Sequence, residues 1–381
     1  MNLFDVYPLF DVEPVRAKGC YVYDAQGTAY LDLYGGHAVI SIGHSHPHYV
    51  ARLTEQLNRI GFYSNSVQNR LQRELAEKLG QLSGYPDYQL FLINSGAEAI
   101  ENALKLASFH TRRKKIAFLE GAFHGRTSAA VAVTDNPRIQ APVNPVDHVS
   151  RVGFNDLAQL ESLLDTEAYA AVVIEGIQGV GGIHVPAPGF LKGVRSLCDA
   201  TGTVMILDEI QSGYGRSGHF FAHQATPDLR PDLITVAKGM ANGFPMGGVL
   251  IGPQFQAWPG MLGTTFGGNH LACAAGLAVL DVIEQEDLIA HAARMGDWMK
   301  EALAGLPGVT EVRGAGLMLG VQLAQPAGPL RKALLAEHHI FTGSAADPHT
   351  LRLLPPLTVT QEALTRFLEA FRSVLAAPAA G

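Results

Sequence analysis

The chain has 381 residues, more than one small hydrophobic core requires, so two domains or one large domain with a satellite are expected. Hydrophobic residues make up 47% and charged residues 17%, a balance that excludes an intrinsically disordered chain. The formal net charge of -7 argues against a general nucleic-acid-binding protein, which needs a basic face. It leaves room for local basic pockets that bind anions.

The chain has three cysteines, Cys20, Cys198 and Cys273, and none of them forms a C-x-x-C pair. This pattern predicts neither a disulfide framework nor a zinc site and is typical of reduced thiols in a cytoplasmic protein. No H-E-x-x-H pattern occurs among the histidines, so we expect no bound metal. No secretory signal and no run of 18 apolar residues is visible, so neither export nor a membrane span is expected.

The predicted elements begin with a hairpin over residues 15–34, whose turn lies at 24–27. Short apolar runs without polar alternation follow, at 90–93, 116–119, 170–174, 204–207 and 233–237. Such runs fit strands that are buried on both faces, and helical patterns lie between them. They therefore predict a mainly parallel sheet built from βαβ units.

The last part of the chain differs from the middle. Its predicted elements are a long helix over 277–306, strands at 309–313 and 319–323, and a closing helix near 361–376. Together with the first hairpin they predict a smaller α+β domain built from both chain ends. The expected domains are residues 1–45 and 276–381 for the smaller one and 46–275 for the larger one.

Polar or ionisable residues follow all five apolar runs. They are Asn94-Ser95-Gly96, Glu120-Gly121, Glu175-Gly176, Asp208-Glu209 and Lys238-Gly239. Any buried strand has to end in something polar, so one such residue would mean little. Five of them predict a ligand site, because ligands of open α/β sheets bind at the carboxyl ends of the strands.

Three of these strand ends indicate specific chemistry. Ser95 and Glu98 form a capping-box pattern at a helix start that suits a phosphate, although an ordinary helix cap explains it too. A buried Asp208 needs a cation, either a protonated pyridine nitrogen or Mg²⁺, and the chain lacks the G-x-x-x-x-G-K-[ST] loop that often accompanies the metal. Burial should lower the pKa of Lys238 and free its amine to form an imine, unless the side chain reaches solvent.

Weaker signals come from five other residues. Arg126 is suited to bind a carboxylate, and the nearby Phe123 to stack on a flat cofactor. Thr264 and Thr265 place hydroxyl groups on a glycine-rich loop, which is also the pattern of a plain turn. Arg352 lies in an apolar stretch and implies an anionic partner, either a ligand or a structural salt bridge.

Taken together, these motifs are highly specific. From residues 14–19 to residues 351–353 the chain resembles the class III (ornithine-type) aminotransferases that use pyridoxal 5′-phosphate (PLP), and within them the acetylornithine and succinylornithine transaminases. The resemblance implies an α/β fold of the PLP-transferase type, similar to aspartate aminotransferase, with a mainly parallel sheet in the large domain. It also implies a homodimer with shared active sites, small-molecule substrates, and neither nucleic acid nor membrane as a partner.

The resemblance also implies roles for residues that match its motifs. Lys238 corresponds to the lysine that holds the cofactor as a Schiff base, and Asp208 to the carboxylate that keeps the pyridine nitrogen protonated; these two are the implied catalytic residues. The implied cofactor-binding residues are Ser95, Gly96, Ala97, Phe123, Asp208, Glu209, Ile210, Gln211, Lys238 and Thr265, the last reaching across the dimer.

Three residues are implied to bind substrate: Arg126, Thr264 and Arg352. The implied reaction is transamination between an N-acylornithine, acetyl or succinyl, and 2-oxoglutarate, giving the N-acylglutamate semialdehyde and glutamate in arginine biosynthesis. Other ω-amine transaminases, acting on ornithine, 4-aminobutyrate or acyl-lysine, remain alternatives. More distant alternatives are a PLP aminomutase or decarboxylase and a cofactor-free binding protein on the same scaffold.

One position departs from the family pattern. Many relatives read E-P-I-Q-G-E-G-G, whereas residues 175–182 of this chain read E-G-I-Q-G-V-G-G. The second Glu, which in ornithine-type enzymes can pair with the arginine matching Arg352, is replaced by Val180. We hypothesise that Arg352 lacks this counter-charge, so that N-succinylornithine, with its extra carboxylate, suits the pocket better than N-acetylornithine.

Overall fold

The computed structural model describes residue 1 and residues 3–376. The strands are β1 (Arg16–Lys18), β2 (Tyr21–Tyr23), β3 (Ala29–Asp32), β4 (Gln89–Ile93), β5 (Lys115–Leu119), β6 (Val149–Val152), β7 (Tyr169–Glu175), β8 (Val204–Asp208), β9 (Leu233–Val236), β10 (Gly247–Ile251), β11 (Val309–Ala315), β12 (Met318–Leu323), β13 (Ile340–Phe341), β14 (Gly343–Ser344) and β15 (Thr350–Leu353). The helices are α1 (Gly35–Ala38), α2 (Pro47–Arg59), α3 (Arg70–Ser83), α4 (Gly96–Thr111), α5 (Ser128–Ala132), α6 (Leu157–Leu164), α7 (Phe190–Thr201), α8 (His270–Gln285), α9 (Leu288–Leu303), α10 (Ala327–His338) and α11 (Gln361–Ala376).

The largest sheet has the strand order β4-β10-β9-β8-β7-β5-β6. Strands β9, β8, β7, β5 and β6 are parallel, whereas β10 is antiparallel to both of its neighbours, β4 and β9. As a result β4 points the same way as the parallel strands, and the carboxyl ends of β4, β5, β7, β8 and β9 share one edge. The predicted mainly parallel sheet is confirmed, and its five polar strand ends lie together.

Helices cover both faces of this sheet. Along β7, Ala171 and Val173 pack with the buried face of α4, while Val172 and Ile174 pack on the other side with apolar residues of α6 and α7. Every residue of β7 is buried, which explains why its sequence shows no polar alternation.

Two strands of this sheet were missed by the sequence analysis. β6 lies at the sheet edge and has a mixed, partly exposed sequence. β10 begins with two glycines, which weaken a strand pattern. Gly247 is required there, because a Cβ at this position would lie 2.7 Å from the carbonyl oxygen of Ser95.

The two smaller sheets contain strands from the ends of the chain. The predicted N-terminal hairpin is a three-stranded meander, β1-β2-β3, and β13 from the C-terminal part joins β3 in parallel. The second sheet has the order β11-β12-β15-β14 and is antiparallel throughout. Both chain ends thus meet in one sheet.

The predicted helix over 277–306 is wrong in two respects. It consists of two helices, α8 and α9, which are separated at Glu286 and Asp287, where Asp287 takes a left-handed φ of 49°. The first of them starts at His270, capped by the Asn269 side chain, which accepts a hydrogen bond of 2.9 Å from the N–H of Ala272. Helix α8 therefore crosses the expected boundary at 275–276, and the exact domain limits stay a prediction.

None of the helices in the described part of the chain combines the length and the apolar character needed to cross a bilayer.

Candidate active site

The carboxyl edge of the large sheet opens into a cavity of about 290 Å³. Segments that follow β4, β5, β7, β8 and β9 form its walls, together with residues 243–246. The sequence-predicted residues that line it are Ser95, Gly96, Ala97, Phe123, Asp208, Ile210, Gln211 and Lys238. The fold therefore brings together in space residues that are up to 143 positions apart, from 95 to 238.

Lys238 lies just beyond the end of β9, with a left-handed φ of 46°. Such a φ is strained for a residue with a Cβ, and strain of this kind concentrates at functional sites. Burial lowers the pKa of the Lys238 amine, while the charges of Asp208 and Glu175 act in the opposite direction. An amine that loses its proton easily is suited to attack a carbonyl carbon and to act as a base.

Asp208 ends β8 and is 4% exposed. Its Oδ2 lies 2.7 Å from Nδ1 of His124, and its Oδ1 accepts a hydrogen bond of 3.0 Å from the N–H of Ile210. A buried carboxylate is stable only with donors or cations around it. These two contacts hold Asp208 in place at the cavity wall.

His124 is a site residue that the sequence analysis missed. It is buried, lines the cavity, and its Nε2 has no hydrogen-bond partner within the described part of the chain. The histidine stands next to Phe123 in the sequence, but no sequence signal relates it to Asp208, which follows 84 positions later. Only the fold reveals the pair.

Glu175, at the end of β7, was predicted only as one of the polar strand ends, without a role of its own. Its Oε1 accepts a hydrogen bond of 3.0 Å from the N–H of Phe123, and its Oε2 one of 2.8 Å from the N–H of Gly179. Burial raises the pKa of this carboxyl group; the charge of His124 lowers it and that of Asp208 raises it. Glu175 therefore fixes the segment that carries the Phe123 ring and the turn before Val180.

The turn between β4 and α4 is built as the capping box predicts. The Ser95 hydroxyl accepts a hydrogen bond of 3.2 Å from the N–H of Glu98. The first N–H groups of α4, at Gly96 and Ala97, have no intrahelical acceptor and face the cavity end of the helix, where the helix dipole favours an anion. A Cβ on Gly96 would lie 3.0 Å from the Ile210 side chain, so glycine allows Ile210 to pack closely against the start of α4.

Gln211 connects the cavity to its rim. Its Nε2 donates a hydrogen bond of 3.1 Å to the carbonyl oxygen of His37, and its Oε1 accepts one of 3.2 Å from Nη1 of Arg352. Arg352 is 3% exposed, and its Nε donates to the carbonyl oxygen of Ser344 at 2.5 Å. Within residues 1 and 3–376, its hydrogen-bond partners are neutral, and the apolar Val180 lines the cavity wall.

The rim also contains the short element α1, which is a strained left-handed turn rather than a regular helix and which the sequence analysis did not single out. Gly35, Gly36, His37 and Ala38 have φ values of 56°, 55°, 68° and 63°. A left-handed conformation costs about 1–2 kcal/mol for each residue with a Cβ, so a functional reason is expected. Burial lowers the pKa of His37, and the positive charges of Arg352, Lys238 and Arg126 lower it further. The Gly-Gly pair before His37 was the signal that could have revealed this turn.

Comparison with known proteins decides the family. The profile of the family described as "Aminotransferase class-III" matches residues 5–375. The chain belongs to the class-III aminotransferases. It is 41% identical to the acetylornithine aminotransferase of Corynebacterium efficiens, over 98% of this chain and 95% of the relative.

Solved aminotransferase structures agree with this assignment. The acetylornithine aminotransferase of Elizabethkingia anophelis superposes with a TM-score of 0.86 at 32% identity, covering 97% of this chain and 95% of that chain. The taurine:2-oxoglutarate aminotransferase of Bifidobacterium kashiwanohense, solved in complex with PLP and glutamate, superposes with a TM-score of 0.90 at 27% identity, covering 98% and 94%. The predicted fold of the PLP aminotransferases is thereby confirmed.

In this class-III aminotransferase Glu209 faces away from the cavity, contrary to the grouping with the cofactor-binding residues. Its Oε1 lies 2.7 Å from Nδ1 of His223 and accepts from the N–H of that residue at 2.9 Å. Its Oε2 accepts from the Ser212 hydroxyl at 2.6 Å and the N–H of Ala222 at 3.0 Å. The carboxylate is saturated within the core, so it stabilises the segment after β8 and leaves no oxygen for a ligand.

Three further predicted residues lie outside the cavity of their own chain. Arg126 is exposed, although its charge acts on His37 at the rim. The Thr264 hydroxyl accepts a hydrogen bond of 3.2 Å from Nδ2 of Asn94, and Thr265 is exposed. Their roles in substrate and cofactor binding stay predictions.

The cysteines and the possible metal ligands can also be located in the structure. All three cysteines are free and buried. In residues 1 and 3–376 no group of three or more His, Cys, Asp or Glu is arranged to hold a metal ion.

Proposed function

We propose that this chain uses PLP to transfer the δ-amino group of an N-acylornithine to 2-oxoglutarate. The observation that carries the proposal is that the buried amine of Lys238 and the buried carboxylate of Asp208 face one cavity, which the amino end of α4 also borders. The substrate class is supported by relatives about 40% identical over nearly the whole chain that are named acetylornithine aminotransferase.

The residues present fit PLP in each of its parts. Lys238 supplies an amine for the aldehyde, and Asp208 a fixed negative charge for the pyridine nitrogen. The N–H groups at the start of α4, beside Ser95, suit a phosphate. The ring of Phe123 lines the cavity, where an aromatic face can stack on a flat heterocycle.

Each side chain then has a defined task. When bound, PLP supplies an electron sink for the carbon that carries the transferred amine. Lys238 takes the proton from that carbon and returns it, first as a base and then as an acid. Asp208, oriented by His124, provides the negative charge at the ring nitrogen, and Glu175 orients the backbone of Phe123.

An assay of amine transfer tests this proposal. The purified protein is expected to form glutamate when it is given 2-oxoglutarate together with N-acetylornithine or N-succinylornithine. This assay follows transfer of the amino group from the acylornithine to 2-oxoglutarate. Free ornithine, 4-aminobutyrate and acyl-lysine are expected to be poor donors. Turnover that does not depend on 2-oxoglutarate would indicate an aminomutase, and a colourless inactive protein would indicate a binding protein.

The buried free cysteines support the further proposal of a cytoplasmic enzyme of arginine biosynthesis.

Val180 is proposed to shift the substrate preference towards the succinyl compound. We expect a higher kcat/KM for N-succinylornithine than for N-acetylornithine, because Arg352 has no carboxylate partner at this wall. Val180→Glu should lower kcat/KM for N-succinylornithine about tenfold or more, since like charges repel in a buried pocket. Val185→Glu, an exposed position of the same loop, is the matched control. A clear preference of the wild type for N-acetylornithine would contradict the hypothesis.

We also propose a homodimer in which each active site receives residues from both subunits. The exposed apolar side chains Phe62, Tyr63, Val67 and Phe266 lie around the loop that carries Thr265, and the rings of Phe62 and Phe266 are 5.4 Å apart. A cluster of this kind is typical of a protein interface. It would place the Thr265 loop beside the partner's cavity.

Mixing of two inactive variants tests for shared sites. If a site combines Lys238 of one subunit with Thr264 and Thr265 of the other, heterodimers of Lys238→Ala and the double variant Thr264→Ala, Thr265→Ala contain one intact site. Random reassembly of equal amounts should then restore about a quarter of the wild-type activity. No recovery, in mixtures shown to contain heterodimers, would contradict shared sites.

A further inference from the structure

The side chains at the rim of the cavity converge on one glycine. Gln211 contacts both Arg352 and the carbonyl group of His37, and the imidazole of His37 is hydrogen-bonded to the hydroxyl of Tyr34. A Cβ on Gly343 would lie 2.9 Å from Cδ2 of Tyr34 and 3.1 Å from Cβ of Arg352. The Tyr34 ring and Arg352 therefore meet at Gly343, directly outside the wall formed by Gln211.

Arg331, on α10, reaches the same place from the small-domain side. Its Nη2 donates a hydrogen bond of 3.1 Å to the carbonyl oxygen of Thr342, the residue before Gly343. Gly343 is in turn the register partner of Arg352 in the pair β14–β15. The two guanidinium groups thus donate to the backbone carbonyls on either side of Gly343 in the sequence, those of Thr342 and Ser344.

This second arginine is incompletely satisfied. Its Nε is buried and has no hydrogen-bond partner within the described residues, and the same is true of the hydroxyl of Thr342, which is 5% exposed. A buried donor without a partner is costly, so such groups call for a ligand or another explanation. Packing of Arg331 over the ring of Phe10, at 5.8 Å, accounts for the position of the side chain but leaves these donors free.

The charges at this place are not balanced by the protein. Burial lowers the pKa of Arg331 and of Arg352, and the positive charge of Arg331 lowers the pKa of Arg352 further. In residues 1 and 3–376, the acidic charge that acts on Arg352 is that of Glu175, which is already bonded to two backbone N–H groups. Two neighbouring cations with so little counter-charge form a site for an anion.

We propose that Arg331, together with Arg352, forms a second carboxylate subsite that binds the far end of the acyl group, so that the substrate class is an N-acylornithine with a dicarboxylic acyl group. The inference rests on the proposed function. N-acetylornithine ends in a methyl group at this point, whereas N-succinylornithine presents a carboxylate. A planar guanidinium is the group that binds a carboxylate through two parallel hydrogen bonds.

The test compares two substrates on matched variants. Arg331→Gln should reduce kcat/KM for N-succinylornithine about 10- to 100-fold, mainly through KM, and change it less than about threefold for N-acetylornithine, as expected for one lost charged hydrogen bond. Arg331→Lys, which keeps the charge, should recover part of the loss. Arg366→Gln is the control, since Arg366 also lies in the C-terminal part of the chain and also donates to one backbone carbonyl, that of His338.

The outcomes separate this inference from the proposed function. An equal loss on both substrates, or no loss on N-succinylornithine, would overturn the subsite. If the wild type turns over neither acylornithine, the proposed function itself fails. Should Arg331→Gln melt far below the wild type, Arg331→Met, which keeps the aliphatic stem against Phe10, provides the same comparison. Selective loss in that variant supports the subsite, and unselective loss overturns it.

Discussion

Lys238→Ala is expected to lower kcat at least about 1,000-fold, because the variant loses both the amine that holds the cofactor and the group that moves the proton. The fold should persist, since the side chain ends in a cavity rather than in the packed core. Steady-state kinetics with N-acylornithine and 2-oxoglutarate give the comparison. Lys192→Ala, at an exposed position of α7, is the matched control and should retain wild-type activity.

Lys238→Ala should also change the pH dependence of the free energy of unfolding, measured on the protein without cofactor. Because the pKa of Lys238 is lowered in the folded state, the unfolded chain holds this proton to higher pH. The free energy of unfolding should therefore rise as pH rises through the lowered pKa towards the ordinary value of 10.5, and Lys238→Ala should lack this component. Identical pH dependence in the two proteins would show that Lys238 is not desolvated.

Asp208→Asn is the second change with a large expected effect. The amide keeps the size of the side chain but removes the negative charge opposite the ring nitrogen, and it leaves His124 with a neutral partner in place of a charged one. We expect kcat to fall about 100- to 1,000-fold, the usual consequence of losing one fixed charge in a desolvated site. The affinity for PLP, measured by fluorescence titration of the apoprotein, should weaken as well.

Asp199→Asn serves as the control for Asp208→Asn. Asp199 lies on α7, is largely exposed, and forms an ion pair with Arg195 at the surface. Its substitution should leave both kcat and the PLP affinity close to wild type, since surface pairs contribute little. If Asp208→Asn behaved like this control, the pyridine nitrogen could not be the partner of Asp208.

The parallel sheet and its functional edge were predictable for a clear physical reason. Strands buried on both faces, such as β7, must be apolar throughout, and the polar residues that follow them must lie at one edge. The capping box at Ser95 was equally local, because cap and helix are adjacent in sequence. Structural features that are set by residues close together in the sequence, such as buried strands and helix caps, can thus be predicted from the sequence.

The missed features depend on neighbours in space. His124 and Glu175 acquire their roles only when β5, β7 and β8 are placed side by side. Arg331 reads as an ordinary surface arginine of a helical pattern until α10 is packed beside β14. The break between α8 and α9 has only a weak signal, since it uses a left-handed Asp287 rather than glycine or proline.

The orientation of the Glu209 side chain, away from the cavity, could have been predicted from sequence alone. Successive side chains of an extended segment point in opposite directions, so the neighbour of a cavity-facing Asp208 should face away. The structure shows this arrangement, with Glu209 bonded to His223 and Ser212 in the core. Side-chain alternation is therefore better guidance to a side chain's direction than its position within a sequence motif.

The central claim is that the amine of Lys238 forms the covalent link to PLP. Reduction of the holoenzyme with borohydride, followed by proteolysis and mass spectrometry of the peptides, tests it most directly. The expected result is one phosphopyridoxyl group on the peptide that contains Lys238, and none on that peptide from Lys238→Ala. A label on any other lysine of the wild type, or no label in protein shown to contain PLP, would contradict the claim.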